Sequence, residues 1–249
     1  MQLDGQAALV LGSLGTCGEA ITRTLADRGA ATMVSARRES EGQALANELK
    51  AGGNKAAFVA ADVSSRDSVI AAVEQTVSEF GKIDILVNAF SADHLRRFLD
   101  DDEESWDRML NVNLKGMFFA CHAALQHMVP QEHGRIVTLT SDSGKIGATM
   151  ETVQSSTKAG VIGFSKSLAR EMARHQITVN ALCIGPTRPS AEAPQGFSSE
   201  GWQSFMRLIP FHRPATPEEV GTVCAFLVSG DAGFVTGQAI SASGGLTMC

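Results

Sequence analysis

Short apolar runs alternating with longer segments of helical period constrain this chain more than any other feature. The runs Ala7–Leu11, Thr32–Ser35, Ala56–Ala60, Ile83–Val87, Arg135–Thr140 and Thr178–Leu182 are each bounded by Gly, Asp, Asn or Ser. Strands buried on both faces read as short apolar runs of this kind, as in a parallel sheet covered on both sides. Between them, Gly18–Arg28, Ser40–Ala51, Arg66–Phe80, Glu103–Met128 and Thr152–His175 have helical spacing, and a last helix and strand fall within 217–242. The alternation predicts an α/β fold, a doubly wound parallel sheet of about seven strands with helices on both faces.

At 249 residues the chain suits one large core and stays short of the length, about 250 to 300 residues, at which cores divide. No repeat and no linker-like composition interrupts it, so residues 1–249 read as a single domain. With 44% hydrophobic and 19% charged residues it is a globular composition, too apolar for disorder. No stretch reaches the roughly 20 unbroken apolar residues of a membrane span. The opening "MQLDGQAALVLG" lacks a basic region followed by an apolar run, so a cytoplasmic location without secretory signal is expected. Cys17, Cys121, Cys183, Cys224 and Cys249 are odd in number and widely spaced, which argues against a disulfide framework and against zinc. A net charge of −6 offers no basic footprint for nucleic acid or anionic membrane, which leaves a small molecule or another protein as partner.

The stretch from Gly185 to the helix start at Pro217 carries Pro186, Pro189, Pro194, Pro210 and Pro214. It reads as a loop bordering a ligand crevice at the strand ends, with a short helix around Trp202–Leu208. The acidic run Asp100–Glu104 reads as the solvated first turn of a helix, not as a metal site, because no spaced His or Cys accompanies it.

Gly12, Gly15 and Gly18 follow the first strand and open a helix. In that context a glycine-rich turn brings backbone amides to a dinucleotide's phosphates, and the fold becomes Rossmann-like. Further motifs run along the chain: "ADV" at 61–63, "DILVNA" at 84–89, "NVNLKG" at 111–116, "GRIVTLTS" at 134–141, "KAGVIGFSKSLARE" at 158–171, "ITVNALCIG" at 177–185 and "TGQAISASGG" at 236–245. Together these make the sequence resemble the short-chain dehydrogenase/reductase family over nearly all of its length. The resemblance implies an NAD(P) cofactor, with Asp62 and Val63 bordering the adenine, Asn88 tying the loop after strand four to the sheet, and Arg37 beside the adenosine ribose. Because Ala36 and not an acid precedes Arg37, the guanidinium suits a 2′-phosphate and hence NADPH. Arg37 and Arg38 read equally well as a solvated turn.

Two departures fall on the cofactor pocket. Where the family's loop has its central glycine this chain has Thr16, whose β-branched side chain resists positive φ and fills space near the pyrophosphate. The family's Asn-Asn-Ala-Gly becomes Asn88, Ala89, Phe90, Ser91, which puts a phenyl ring where small groups admit the adenosine ribose. Gly15 offers a route by which the turn shifts one residue, but the expectation is that this chain itself binds no cofactor. Cys17, beside a helix N-terminus, reads as core packing in preference to a redox switch.

A third departure concerns chemistry. The resemblance implies a tyrosine four residues before a lysine, close enough on one helix face for the ammonium to lower the phenol's pKa. The lysine is Lys158, and four residues earlier stands Gln154. Ser141, thirteen residues before Gln154, and Asn113 match the family's catalytic serine and relay asparagine. The chain contains no tyrosine at all. A carboxamide has no accessible pKa, and general acid–base help is worth about 10²- to 10⁴-fold in rate. Ser141, Asn113 and Lys158 then read as structural residues.

These losses suggest a catalytically degenerate subunit paired with an active homologue in a heteromeric, for instance heterotetrameric, NAD(P)-dependent hydroxyacyl-CoA or alcohol dehydrogenase. The chain resembles the non-catalytic subunit of such enzymes of the benzylsuccinate-pathway type. The expected contacts are helices 103–128 and 152–175, whose small residues Ser155, Ser156, Ala159, Gly160 and Gly163 permit close approach, and the 217–242 region. Alternatives are a lyase, isomerase or hydrolase using Asp142, Glu151 or His94 in the old pocket, a sensor that binds NADPH without turnover, and a reductase in which water relays stand in for the tyrosine. Composition does not choose the substrate.

Overall fold

The computed structural model describes residues 2–188 and 198–249. Strands β1 (Ala7–Leu11), β2 (Ala31–Ala36), β3 (Ala56–Ala60), β4 (Ile85–Asn88), β5 (Gly134–Ser141), β6 (Ile177–Ile184) and β7 (Ala239–Ala242) form one sheet in the order β3-β2-β1-β4-β5-β6-β7. Every pairing is parallel. The expected doubly wound sheet is present; the runs at β2, β5 and β6 extend by a residue or two, and the run expected at Ile83–Val87 begins two residues later and ends one later, at Asn88. Every residue of β1 and β4 is buried, as central parallel strands require.

One face of the sheet packs against α3 (Arg66–Phe80), α5 (Met117–Met128) and α7 (Thr152–Met172), through Val69, Val73, Met117, Ala120, Val161 and Ala169. The other packs against α1 (Thr16–Asp27) and α9 (Pro217–Val228), through Ile21, Leu25, Val220 and Cys224, with α2 (Glu39–Ala51) closing a smaller cluster around Leu45 and Leu49. The segment expected as one helix over 103–128 is continuously helical, but its middle is not α: α4 (Glu103–Met109) passes into a π-helical stretch, Leu110–Gly116, before α5. The acidic run lies just before and in the first turn of α4, where Asp102 caps the helix by accepting from Ser105 N and Glu103 and Glu104 meet its positive end.

After β5 comes a single turn, α6 (Ser143–Ile146), and the short helix of the proline-rich stretch is α8 (Ser199–Met206). Pro189 and Pro194 lie outside the described residues. In register Leu11 stands beside Asn88, Asn88 beside Thr138, and Ser141 beside Ile184. The carboxyl ends of β1, β4, β5 and β6 therefore open onto one crevice.

Candidate functional site

The loop after β1 is pinned to β2. Buried Ser13 donates its hydroxyl to Val10 O at 2.6 Å and accepts from Ser35 N at 3.0 Å, while Gly12 N and Ser13 N both donate to Ser35 O. Gly12 adopts φ +88°, and a Cβ there would lie 2.7 Å from Ala89 O. A Cβ on Gly18 would lie 2.1 Å from Gly12 O, so both glycines are demanded by close backbone approach. Thr16 departs from the sequence expectation. It opens α1, is not among the described residues with positive φ, and carries no backbone strain; the N-cap Gly15 is itself extended at φ −77°. Among the described residues no side chain caps α1, and its N-terminal residues Gly15 to Gly18 line the crevice. The cradle for phosphate fits, and what Thr16 changes is only the exposed side chain lining it.

Beyond the loop a cavity of about 600 Å³ holds the residues expected around an adenosine: Arg37, Asp62, Val63 and Phe90, together with Gly12 and Gly15. Asp62 Oδ1 accepts from Ser64 Oγ at 2.7 Å and Ser64 N at 2.9 Å, which holds its carboxyl below the usual range, with Arg37 adding attraction. Phe90 does not fill this space. Its ring packs on the core beside α5, and a Cβ on Gly116 would meet Phe90 Cε2 at 3.3 Å, so the phenyl lies in the wall. Asn88 is buried where expected and donates to Thr138 Oγ1 at 3.0 Å and weakly to Cys121 Sγ. Arg108, which the motifs did not single out, lines the same cavity one helical turn before Asn111. Helical spacing back from "NVNLKG" was the available signal.

The other end of the crevice is a cavity of about 950 Å³ with apolar walls from Leu139, Ile184, Trp202, Phe205 and Leu246. It brings together Ser141, Gln154 and Lys158. Ser141 Oγ accepts from Ser143 N at 3.2 Å, a bond that serves the turn of α6. Asn113 sits in the π-helical stretch and grips the loop after β4: its Oδ1 accepts from Ala92 N at 2.7 Å, and its Nδ2 donates to Ala92 O at 3.0 Å and Thr157 Oγ1 at 3.1 Å. Gln154 is buried, and its Oε1 accepts from His94 N at 3.3 Å. Buried Lys158 donates to Ser91 Oγ at 2.5 Å and lies 3.5 Å from Asp93 Oδ1, to which Ser91 Oγ in turn donates at 2.5 Å. The ammonium of the motif is thus already engaged, by Ser91 and by Asp93, the latter a residue the sequence reading passed over. Ser91 in place of the family's glycine was the signal for it.

The remaining candidates separate. Asp142 and Glu151 line the deeper cavity, Asp142 Oδ1 accepting from Ser241 Oγ at 2.5 Å. His94 does not line it. It borders a smaller cleft with Arg96, Asp102 and Arg108, and its Nε2 lies 3.8 Å from Asp101 Oδ1. Cys17 is partly buried, packing against the core while also lining the deeper cavity, and burial pushes its thiol up, with Thr187 opposing. Among the described residues no group of three His, Cys, Asp or Glu is placed to hold a metal, and no helix is long and apolar enough to cross a membrane.

Comparison with known proteins matches this geometry. The family model described as enoyl-(acyl carrier protein) reductase covers residues 14–247. The 3-oxoacyl-(acyl-carrier-protein) reductase FabG of Escherichia coli (strain K12) is 34% identical over 250 residues, covering 100% of both chains. A (2S)-((R)-hydroxy(phenyl)methyl)succinyl-CoA dehydrogenase subunit, BbsD of Thauera aromatica, is 33% identical over 248 residues, covering 100% of this chain and 99% of that one. A crystal structure of a gluconate 5-dehydrogenase from Burkholderia cenocepacia J2315, in complex with NADP and tartrate, superposes with a TM-score of 0.92 at 28% identity, covering 98% of this chain and 96% of that one. The chain belongs to the short-chain dehydrogenase/reductase family, a family of NAD(P)-dependent oxidoreductases.

Proposed function

We propose that this chain is a non-catalytic subunit of a heteromeric NAD(P)-dependent hydroxyacyl-CoA or alcohol dehydrogenase, in which a catalytically complete homologue carries the reaction. The observation that carries this reading is the state of the proton-transfer end of the crevice. Gln154 stands where a base is needed, and Lys158, which lines the deeper cavity, is engaged there by Ser91 and Asp93. At the position four residues before Lys158, the carboxamide of Gln154 takes no proton from an alcohol near neutral pH. The name of the Thauera aromatica relative, a subunit of an acyl-CoA dehydrogenating enzyme, supports the substrate class.

The surface suits a homologous partner. Phe118 and Phe164 pack at 4.9 Å between centroids, tilted by 36°, beside a groove of about 530 Å³ between α5 and α7, lined also by Leu125, Val129 and Leu168. Phe226 and Phe234 are exposed on and just after α9. Both faces fall on the segments expected to associate, and exposed aromatic surface of this kind marks interfaces.

The test is purification of the chain alone and together with its native associates, with NAD(P)H oxidation measured against a panel of 3-oxoacyl thioesters and ketones. The expected result is no turnover by the lone chain, and a fixed-ratio complex in which a tyrosine-containing homologue accounts for all activity. Turnover by the lone chain, or its isolation solely as a homo-oligomer, would defeat the proposal.

A further inference from the structure

A carboxylate and an ammonium meet on one hydroxyl at the mouth of the deeper cavity. Ser91 Oγ, in the loop after β4, accepts from Lys158 Nζ at 2.5 Å and donates to Asp93 Oδ1 at 2.5 Å, and Lys158 Nζ lies 3.5 Å from that same carboxylate oxygen. The other acceptor within reach of the hydroxyl, Asn113 Oδ1, is farther, at 3.4 Å. The Lys158 side chain is 8% exposed and that of Asp93 57%, and Ser91 is exposed. The ammonium is therefore anchored within the protein, while the hydroxyl and the carboxylate stand open to the crevice.

The loop that carries Ser91 and Asp93 is fixed between them and just beyond. Asn113 holds both the N–H and the carbonyl of Ala92, and His94 N donates to Gln154 Oε1. A hydroxyl with a carboxylate placed to take its proton, and a third group orienting both, has the geometry of an activated nucleophile. Ser91 and Asp93 line the cavity of about 950 Å³, whose apolar walls include Leu139, Ile184, Trp202 and Phe205. Thr16, Cys17 and Gly18, the first turn of α1, line it too, so the positive end of a 12-residue helix borders the same space.

We infer that Ser91 is an acyl-accepting nucleophile, with Asp93 as its general base and Lys158 as the cation that holds both, and that it acts on esters or thioesters of apolar acids. The Ser91 O–H proton passes to Asp93 as Oγ bonds to the acyl carbon, and the carbonyl electrons move onto oxygen toward the positive end of α1. When those electrons return, the C–O or C–S bond breaks and the leaving group takes the proton from Asp93. Solvent water repeats the sequence on the acyl-serine and releases the acid. No oxidant or reductant enters, so this step stands apart from the hydride transfer assigned above to a homologous partner.

Labelling of the full chain with an alkyl fluorophosphonate, read by intact mass and peptide mapping, tests it, together with hydrolysis of p-nitrophenyl butyrate and of butyryl-N-acetylcysteamine. The expected result is a single adduct, on Ser91, and turnover of at least one acyl donor, the faster donor telling esters from thioesters. Ser91→Ala should abolish both. Asp93→Asn should slow labelling about 100-fold, within the range of general-base help, and Lys158→Met should slow it about as much. Because Asp93 is exposed, its variant should keep Tm within about a degree or two, which separates lost chemistry from lost folding. Absence of an adduct on Ser91, equally fast labelling in Asp93→Asn or Lys158→Met, or hydrolysis of neither donor faster than by Ser91→Ala would overturn the inference. None of these outcomes touches the assignment of hydride transfer to a partner, which NAD(P)H oxidation by the lone chain tests.

Discussion

Gly18 and Thr16 stand two residues apart in the same loop and behave oppositely. A methyl group on Gly18 would fall 2.1 Å from Gly12 O, inside a backbone contact that cannot relax without moving β1. Gly18→Ala should therefore cost about 3 kcal/mol in unfolding free energy, read by denaturant titration. Thr16→Gly should cost no more than about 1 kcal/mol, the ordinary penalty of glycine in a helix, because no strain is relieved. A large stabilisation by Thr16→Gly would mean that the loop is strained after all. At the other end of the crevice, Gln154→Tyr alone leaves Lys158 bound to Ser91 and Asp93, so the phenol gains little from the ammonium. NADPH-dependent reduction should rise less than about tenfold in that variant, and should rise a further tenfold or more when Ser91→Gly and Asp93→Ala are added, within the range available to general acid–base help. A full gain from Gln154→Tyr by itself would show that Asp93 does not restrain the lysine.

Helix ends carry the clearest local signals in this chain. In α9, Thr216 accepts from Glu219 N, Glu219 accepts from Thr216 N, and Pro217 follows the cap. Thr216→Ala should lower stability by about 1 kcal/mol. Glu219 also accepts twice from Arg213, which with the Thr216 amide holds its carboxyl down to about 2. A carboxylate depressed in the folded state stabilises above its unfolded pKa, about 4.3, and that contribution disappears as pH falls toward 2. Glu219→Gln should accordingly lower Tm at pH 7, by a small amount since the pair is exposed, and the difference from the parent should close between pH 4 and pH 2. The π-helical stretch at Leu110–Gly116 was not legible in the same way. Apolar spacing gives nearly the same pattern for α and π turns over seven residues, and it is the two-pronged grip of Asn113 on Ala92 that accompanies the widening.

For the molecule as a whole, association is the property that the proposed role depends on. Phe118→Asp places a charge in the groove between α5 and α7 at a position already partly exposed. It should leave the Tm of the isolated chain within a degree or two and reduce recovery of the homologous partner several-fold, measured by native mass of the co-purified complex. Unchanged recovery would move the interface elsewhere. The sheet, its covering helices and the phosphate loop were readable from the sequence because apolar period and glycine placement act over a few residues. The absence of tyrosine was readable too, since a residue type absent from the whole chain cannot be supplied by folding. Folding alone decided the rest. Lys158 meets Ser91 across 67 positions of sequence, Phe90 turns into the wall, Arg108 reaches the cavity that Arg37 and Asp62 line, and His94 borders a different cleft. Such pairings depend on which loops the parallel register brings to one edge and on how side chains then pack there, and no local pattern in the sequence encodes them.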